Sequence, residues 1–575
     1  MKVLLPVWVP CERIYWGLYS DMAAVHRCLL VSDFNAAPLA GYLRNDKESP
    51  QLEVVEAPYG LVEPVLLGEH EIWQQQPNCA LVWTRPQVVS AFARLLDGEV
   101  VTGEEVDAEV ELLVELFTGA AGHLTTLFVA LWTLPPYERG LGVGDLKSGG
   151  VMRTLLRMNT QLIERADRVD NLYLFDAARW LAAADGRRFD AKLWHMGKIA
   201  FANSVLRVAV GETKAALRAL DGRAKKLIVL DLDDTLWGGI VGEVGWRKLQ
   251  MGGHDHIGEA HADFQRALKA LARRGVLLAL ASRNEEAVAL EAIDEHPEMI
   301  LRRGDFAAWR IHWGDKAESV EALVSELNIG LQDVVFIDDS PAERARVREA
   351  LPEVLVPEWP ADPAFYVEAL SALKVFDIVS LSREDRERTQ LYAIEERRRQ
   401  ARGQFSSMDA WLERLELQVF VEELNEENGA RAVQLLNKTN QMNLCTRRLS
   451  RAELEQWSKG RGCEFWTFRV VDRFGDAGLA GLLGLQSNTS GVTLCDFVLS
   501  CRVMGRQIEE TMLHFALRRA RVLGGDKLVA EFLPTAKNKP CYDFFARTPL
   551  ERDGHLFYGA GNELVALPSH VQFHS

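Results

Sequence analysis

Residues 225–243 read "KKLIVLDLDDTLWGGIVGE". An apolar run ends in three aspartates, Asp231, Asp233 and Asp234, and a threonine, a tryptophan and two glycines follow. "KLIVLD" has the length and branched apolar content of a fully buried strand. A strand ending in Asp-x-Asp aims two carboxylates at the carboxyl edge of its sheet, which is where open α/β sheets bind ligands. There Asp231 is placed to attack phosphorus, and Asp233 to return a proton to the leaving oxygen, through an aspartyl phosphate. Like charges this close need a cation, so Mg²⁺ on oxygen ligands is expected. The plainer alternative is a helix cap or a structural ion.

Three further elements follow in order. "LLALASRNE" ends a strand in Ser282, suited to bond a phosphoryl oxygen. "WGDKAES" supplies Lys316, a point charge for the phosphoryl group. "VVFIDDS" ends a strand in Asp338 and Asp339, which are expected to complete a metal site with Asp231 and Asp233. This set resembles the haloacid dehalogenase-like (HAD-like) superfamily. The resemblance implies a nucleophile at Asp231 and an acid/base at Asp233. It also implies phosphoryl contacts from Ser282 and Lys316, and Mg²⁺ binding by Asp338 and Asp339. Only about fifty residues separate Asp231 from Ser282, so a large cap domain has no room there. A capless site is open to water, and another domain or a partner must help define its substrate.

The bulk numbers fit a soluble enzyme of several domains. The 575 residues are 48% apolar and 26% charged, enough for large cores. A net charge of -16 argues against a nucleic-acid surface. Eight cysteines without a CxxC pair argue against a disulfide scaffold or a zinc site. "MKVLLPVWVPCER" makes a poor signal peptide, and no long apolar run suggests a membrane span, so a cytoplasmic location is expected.

Along the chain, residues 1–220 alternate strands such as "HRCLLVSDF" and "CALVWT" with helices such as "AEVELLVELFTGA". Residues 221–375 repeat that rhythm, which indicates parallel α/β sheets. Residues 376–409 carry "SREDRERTQLYAIEERRRQARG", expected to form an exposed linker helix. From 410 to 575 the texture changes: two strands around "FGDAG", the strand "GVTLCDFVLS", a Gly/Arg loop, a helix and the strand "KLVAEFLP" suggest an α+β domain.

With "DLDDTLWGG", "LLNKTNQMNL", "SCRVMGRQIEE" and "PTAKNKP", the chain resembles the FkbH-like proteins of polyketide assembly lines, HAD-like subfamily IIIC. The family usually has Asn at the position of Asp234. The resemblance implies a glyceryl transferase/phosphatase. Such an enzyme takes a glyceryl unit from 1,3-bisphosphoglycerate, removes phosphate and loads the phosphopantetheine thiol of an acyl carrier protein. An enzyme cysteine carries the acyl group in between. None of the eight cysteines (11, 28, 79, 445, 463, 495, 501 and 541) falls in the phosphatase-like segment. Cys501 is the first choice, since Arg502 and Arg506 follow it, and Cys445 in "NLCTRR" is second. The plain alternative for both is a small buried apolar residue.

The C-terminal segment also resembles the Gcn5-related acyltransferase (GNAT) fold, whose Arg/Gln-x-x-Gly-x-Gly/Ala loop binds the pyrophosphate of coenzyme A. Here that loop runs Arg502-Val-Met-Gly505-Arg506-Gln507. Gln507 replaces the final small residue, which favours a carrier-protein arm over free coenzyme A, with Arg502, Gly505 and Arg506 as its contacts. In "LLVSDFNAAPLAGYL", Ser32 after a strand resembles the first block of the SGNH hydrolases. Asp190 lies five residues from His195 rather than three, so a degenerate scaffold or docking domain is expected. The fold class is thus α/β. An SGNH-like domain is followed by a capless HAD-like Rossmannoid domain and a GNAT-like α+β domain. Two rivals stay open: a simple phosphatase or phosphotransferase, and a non-catalytic carrier-protein scaffold.

Overall fold

A computed structural model of the chain describes residues 26–379, 407–449, 451–488, 491–525, 527–535, 537–560 and 565–575. The segment 1–13 with Cys11, and the charged run expected to form a linker helix, lie outside the described residues. The chain divides into two compact units, Met1–Lys214 and Ala215–Ser575.

The first unit holds five parallel strands: β1 (His26–Val31), β2 (Leu52–Glu56), β3 (Cys79–Val82), β4 (Thr126–Ala130) and β5 (Leu172–Phe175), in the order β2-β1-β3-β4-β5. Helices flank the sheet, as parallel connections require. Ser32 follows β1 and its Oγ accepts the N–H of Phe34 at 3.1 Å. Asp190 caps the short helix Ala191–Gly197 through the N–H of Lys192. Among the described residues neither pairs with His195. An aromatic cluster of Phe34, Trp83, Trp180 and Phe201 packs beside Ser32.

The second unit begins with a parallel sheet of β6 (Leu227–Leu230), β7 (Leu277–Ser282), β8 (Phe306–Ile311) and β9 (Val334–Ile337), ordered β8-β7-β6-β9. Every residue of the central strand β6 is 0% exposed. Helices on both faces require this, which is why the strand reads as an unbroken apolar run. All four strands end on the same edge, and each end delivers a motif there. The amphipathic helix α1 (His256–Arg273) covers one face, with Asp255 accepting the N–H groups of Ile257 and Gly258 as its N-cap.

A second, mostly antiparallel sheet completes the unit. Its strands are β10 (Leu417–Glu423), β11 (Met442–Asn443), β12 (Cys463–Asp472), β13 (Gly475–Asn488), β14 (Gly491–Leu499), β15 (Lys527–Glu531), β16 (Glu551–Asp553), β17 (Leu556–Ala560) and β18 (Val571–His574). The main path runs β16-β17-β15-β14-β13-β12-β10-β18. The β12–β13 hairpin turns at the expected "FGDAG". β14 and β15 pair in parallel only over Val492–Leu494 and Leu528–Ala530, then diverge. The chain fills the resulting wedge itself. Met442 and Asn443 pair with Leu499 and Val498, and Leu444 N–H donates to Phe497 O. On the other side, Leu533 N–H donates to Leu444 O and Cys445 Sγ to Glu531 O. Asn538, 0% exposed, clamps the insert by donating to the carbonyls of Asn443 and Leu533.

The turn before β6 and the helix Glu426–Lys438 approach each other away from the aspartates. A side chain at Gly222, five residues before β6, would come within 3.1 Å of Asn437 O. Asp231 lies at the other end of the strand. Truncating Leu230 to alanine empties a fully buried site in the central strand, and should cost about 2–5 kcal/mol. Urea unfolding of the variant against the unaltered protein checks this; a change under about 1 kcal/mol would show that β6 is not the core strand.

Candidate functional site

Asp231 leaves β6 with its N–H on Ile337 O (3.1 Å), so β9 fixes its backbone. The next residues coil into a tight turn. Asp234 takes φ +51°, a conformation that Asp and Asn tolerate better than most residues. The same property accommodates Asp at a position where Asn is usual in the family the motif resembles. Asp234 Oδ1 accepts the N–H of Gly239 at 2.7 Å, and its carbonyl accepts the Tyr366 hydroxyl at 3.0 Å.

Three carboxylates converge at the sheet edge. Asp231, Asp338 and Asp339 each bring an oxygen within 4.8 Å of the others. Lys316, 4% exposed, sits among them with Nζ 3.0 Å from Asp231 Oδ1 and 2.6 Å from Asp338 Oδ2. Burial pulls the Lys316 ammonium toward losing its proton, but Asp231 and Asp338 outweigh it and hold the group above its ordinary range. Asp338, 0% exposed, is pushed up to about 6 by burial and by the Asp231 charge. Asp339 is raised by the same two causes in the same order. Both shifts come first from burial and second from the neighbouring Asp231 charge. Three hard carboxylate oxygens on rigid strand ends fit Mg²⁺ or a similar divalent ion, which would offset their charge.

Asp233 was expected among the metal ligands, and the structure turns its carboxylate elsewhere. Oδ1 accepts the indole N–H of Trp237 at 2.8 Å and the N–H of Val241 at 3.0 Å. Oδ2 accepts from Asn284 Nδ2 at 2.9 Å, and the same amide donates to Ser282 Oγ at 3.2 Å. Its carboxylate therefore adds no oxygen to the converging set. Burial raises its proton affinity against these three donors. Asn284 thus ties the expected phosphoryl contact, Ser282, to the expected acid/base.

Several supporting residues were not singled out from sequence. His261 and Gln265, four apart on the buried face of α1, hold the motif turn. His261 Nδ1 lies 3.1 Å from Thr235 O, and Gln265 Nε2 donates to Leu236 O at 2.8 Å. Polar residues at helical spacing on an apolar face are the signal that could have found them. Thr235 Oγ1 donates to Asp339 Oδ1 and accepts Asp339 N–H. Arg344 donates to the carbonyls of Asp338 and Asp339, fixing the last loop.

The C-terminal candidates come out differently. Cys501 is half-buried just after β14. The two arginines expected to activate it are engaged within the fold. Arg506 is buried against Asp472 (3.2 Å) and donates to Arg502 O, while Arg502 Nε donates to Ser500 Oγ at 3.3 Å. Gly505 takes φ +74°, as a loop glycine should, but its N–H donates to Glu509 at 3.0 Å. The loop expected to cradle a phosphate therefore spends that amide and Arg506 on its own carboxylates. Cys445 is buried, and burial raises its thiol well above the usual range.

No protein-family model matches the chain, and no curated protein matches it. Among solved structures, the N-terminal part of protein BF1531 from Bacteroides fragilis, containing a phosphatase domain complexed with Mg, is 28% identical, with a TM-score of 0.55. The match covers 62% of this chain and 94% of that one. An acetyltransferase of the GNAT family from Staphylococcus aureus matches 25% of this chain and 99% of its own, at 12% identity and a TM-score of 0.20. The ribosomal-protein-S18-alanine N-acetyltransferase from Escherichia coli matches 24% and 90%, at 10% identity and the same TM-score. The converging aspartates thus stand in a chain similar to one that contains a phosphatase domain complexed with Mg.

Trp237→Phe removes one donor from Asp233 and leaves an aromatic ring in the fully buried site. Phosphate release from a phosphomonoester should fall about tenfold or more in kcat with KM little changed. Equal kcat in a variant with native circular dichroism would mean that Trp237 does not orient Asp233.

Proposed function

We propose that the chain is a Mg²⁺-dependent phosphoryl-transfer enzyme that prepares a glyceryl unit from 1,3-bisphosphoglycerate and loads it onto the phosphopantetheine thiol of an acyl carrier protein. The observation that carries the phosphoryl step is the division of labour at one sheet edge. Asp231 faces Lys316 and two further carboxylates, while Asp233 is held aside by three N–H donors. The similarity to a phosphatase domain complexed with Mg supports the same step. The acyl and carrier parts rest on the sequence resemblance.

Bound at Asp231, Asp338 and Asp339, Mg²⁺ would offset the phosphoryl charge and draw density from phosphorus. An Asp231 oxygen attacks the C3 phosphorus and the P–O bond to the sugar-acid oxygen breaks. Asp233 gives its proton to that oxygen, then accepts one from the water that hydrolyses the aspartyl phosphate. Lys316 and Ser282 hold the phosphoryl oxygens. At the other end of the substrate, a thiol sulfur attacks the C1 carbonyl and the C–O bond to phosphate breaks. Cys501 serves as that first thiol before the carrier accepts the acyl group.

A second reading has an observation in its favour. The Arg502–Gln507 loop uses its amide and Arg506 internally, and residues 442–445 fill the wedge between β14 and β15. Both suit a phosphatase whose C-terminal part takes no part in the chemistry.

The protein, Mg²⁺, 1,3-bisphosphoglycerate and its cognate phosphopantetheinylated carrier should yield a glyceryl-carrier adduct by mass spectrometry. Phosphate release without an adduct favours the second reading. Asp231→Asn, or chelation with EDTA, should cut phosphate release at least a thousandfold. Unchanged release in Asp231→Asn would remove the catalytic assignment. Cys501→Ser should abolish loading and spare phosphate release.

A further inference from the structure

Arg283 follows Ser282 at the end of β7, and its side chain runs over the rim of the aspartate site. Nε faces Gly314 O at 3.3 Å, and Nη1 lies 2.7 Å from Glu343 Oε1. Gly314 is two residues before Lys316, and Glu343 is four residues after Asp339. Arg283 therefore bridges the three loops that carry Ser282, Lys316 and the Asp338–Asp339 pair. Its side chain nevertheless stays 45% exposed, unlike buried Lys316 and Arg344. A purely structural clamp would be covered; this side chain keeps nearly half of its surface open to solvent.

The charge balance gives that position a use. Asp231, Asp233, Asp234, Asp338 and Asp339 stand against Lys316 at this edge. Even with a divalent ion bound, a substrate carrying a second anion beyond its phosphate would be repelled, since charges act over about 8 Å in physiological salt. Arg283 is an exposed cation that directly follows the phosphoryl-contact candidate Ser282, whereas Arg346, also exposed, is paired to Asp315 from the helix after Asp339. A guanidinium has five N–H donors in a planar fork, so engaging Gly314 and Glu343 leaves donors for a carboxylate or phosphate.

We propose that Arg283 is a specificity residue that binds a second anionic group, carboxylate or phosphate, on the substrate whose phosphoryl group is taken by Asp231. The inference rests on the phosphoryl-transfer reading above and adds the residue that would make the site prefer phosphorylated small acids or bisphosphates over neutral phosphomonoesters. It also orders the steps. Phosphate leaves C3 while C1 is still anionic, because a thioester offers Arg283 no charge to hold.

The full-length protein is assayed with Mg²⁺ on 3-phosphoglycerate and on glycerol 3-phosphate, which lacks the carboxylate. The unaltered protein should favour 3-phosphoglycerate at least tenfold in kcat/KM. Arg283→Gln should lose at least ten times more on 3-phosphoglycerate than on glycerol 3-phosphate, mainly through KM. Arg283→Lys should recover part of that loss. An equal loss on both substrates would make Arg283 a structural clamp and overturn the inference, as would the absence of a preference in the unaltered protein. No phosphate release from either substrate, nor from acetyl phosphate, would instead overturn the underlying phosphoryl-transfer reading.

Discussion

Lys316 stands between the carboxylates of Asp231 and Asp338 with almost no access to water. Burying an ammonium or a carboxylate alone costs several kcal/mol, and removing one member of such a set leaves the others unpaired. Each charge is therefore kept in place by the rest. The strands must end in register, the loops must be short, and the helix that starts at Lys316 must begin where it does. Its N-cap, Asp315, accepts the N–H of Ala317 at 2.7 Å and fixes that start. The cluster still carries more negative than positive charge, and burial together with the Asp231 charge raises the proton affinities of Asp338 and Asp339. A divalent ion is the partner that such a balance suits.

Around this charged centre the fold separates two kinds of carboxylate. Asp231 is left facing a lysine and two acids. Asp233, two residues on, is turned away and given three donors from a tryptophan, a backbone amide and an asparagine. A nucleophile needs an exposed lone pair, whereas an acid/base needs a fixed orientation and a tunable proton. Two of the donors, Trp237 and Val241, come from the short segment after the motif, and the third, Asn284, follows β7. Trp237 and Val241 are in effect the inner wall of an open site, and Arg283 stands at its rim.

The C-terminal sheet follows a different economy. Where β14 and β15 part, unpaired backbone groups would face one another across the wedge, and such groups are costly when buried. The chain satisfies them with its own residues 442–445, clamped by Asn538. The neighbouring loop likewise turns Gly505 and Arg506 onto Glu509 and Asp472. An anion approaching that loop meets carboxylates already in place. The sequence reading took these groups as available because a motif shows which donors exist, not which acceptors the fold sets against them.

Much of the candidate site was legible in the sequence because most of its motifs sit at the end of a continuous apolar run. Full burial on both faces of a parallel sheet makes β6, β7 and β9 plain to see. β8 and β5 are less legible because they are covered less completely than β9, although all three are edge strands, and they carry polar residues such as Arg310 and Tyr173. Asp231, Ser282, Lys316, Asp338 and Asp339 could be named from local pattern alone, since strand order brings strand ends together. Tertiary structure decided what the pattern could not. It turned the Asp233 carboxylate toward Trp237 and Asn284, recruited His261 and Gln265 as supports, set Arg283 between Gly314 and Glu343, and closed the C-terminal wedge. In each case the outcome depends on which donor meets which acceptor across distant segments. Linear spacing carries no record of that geometry.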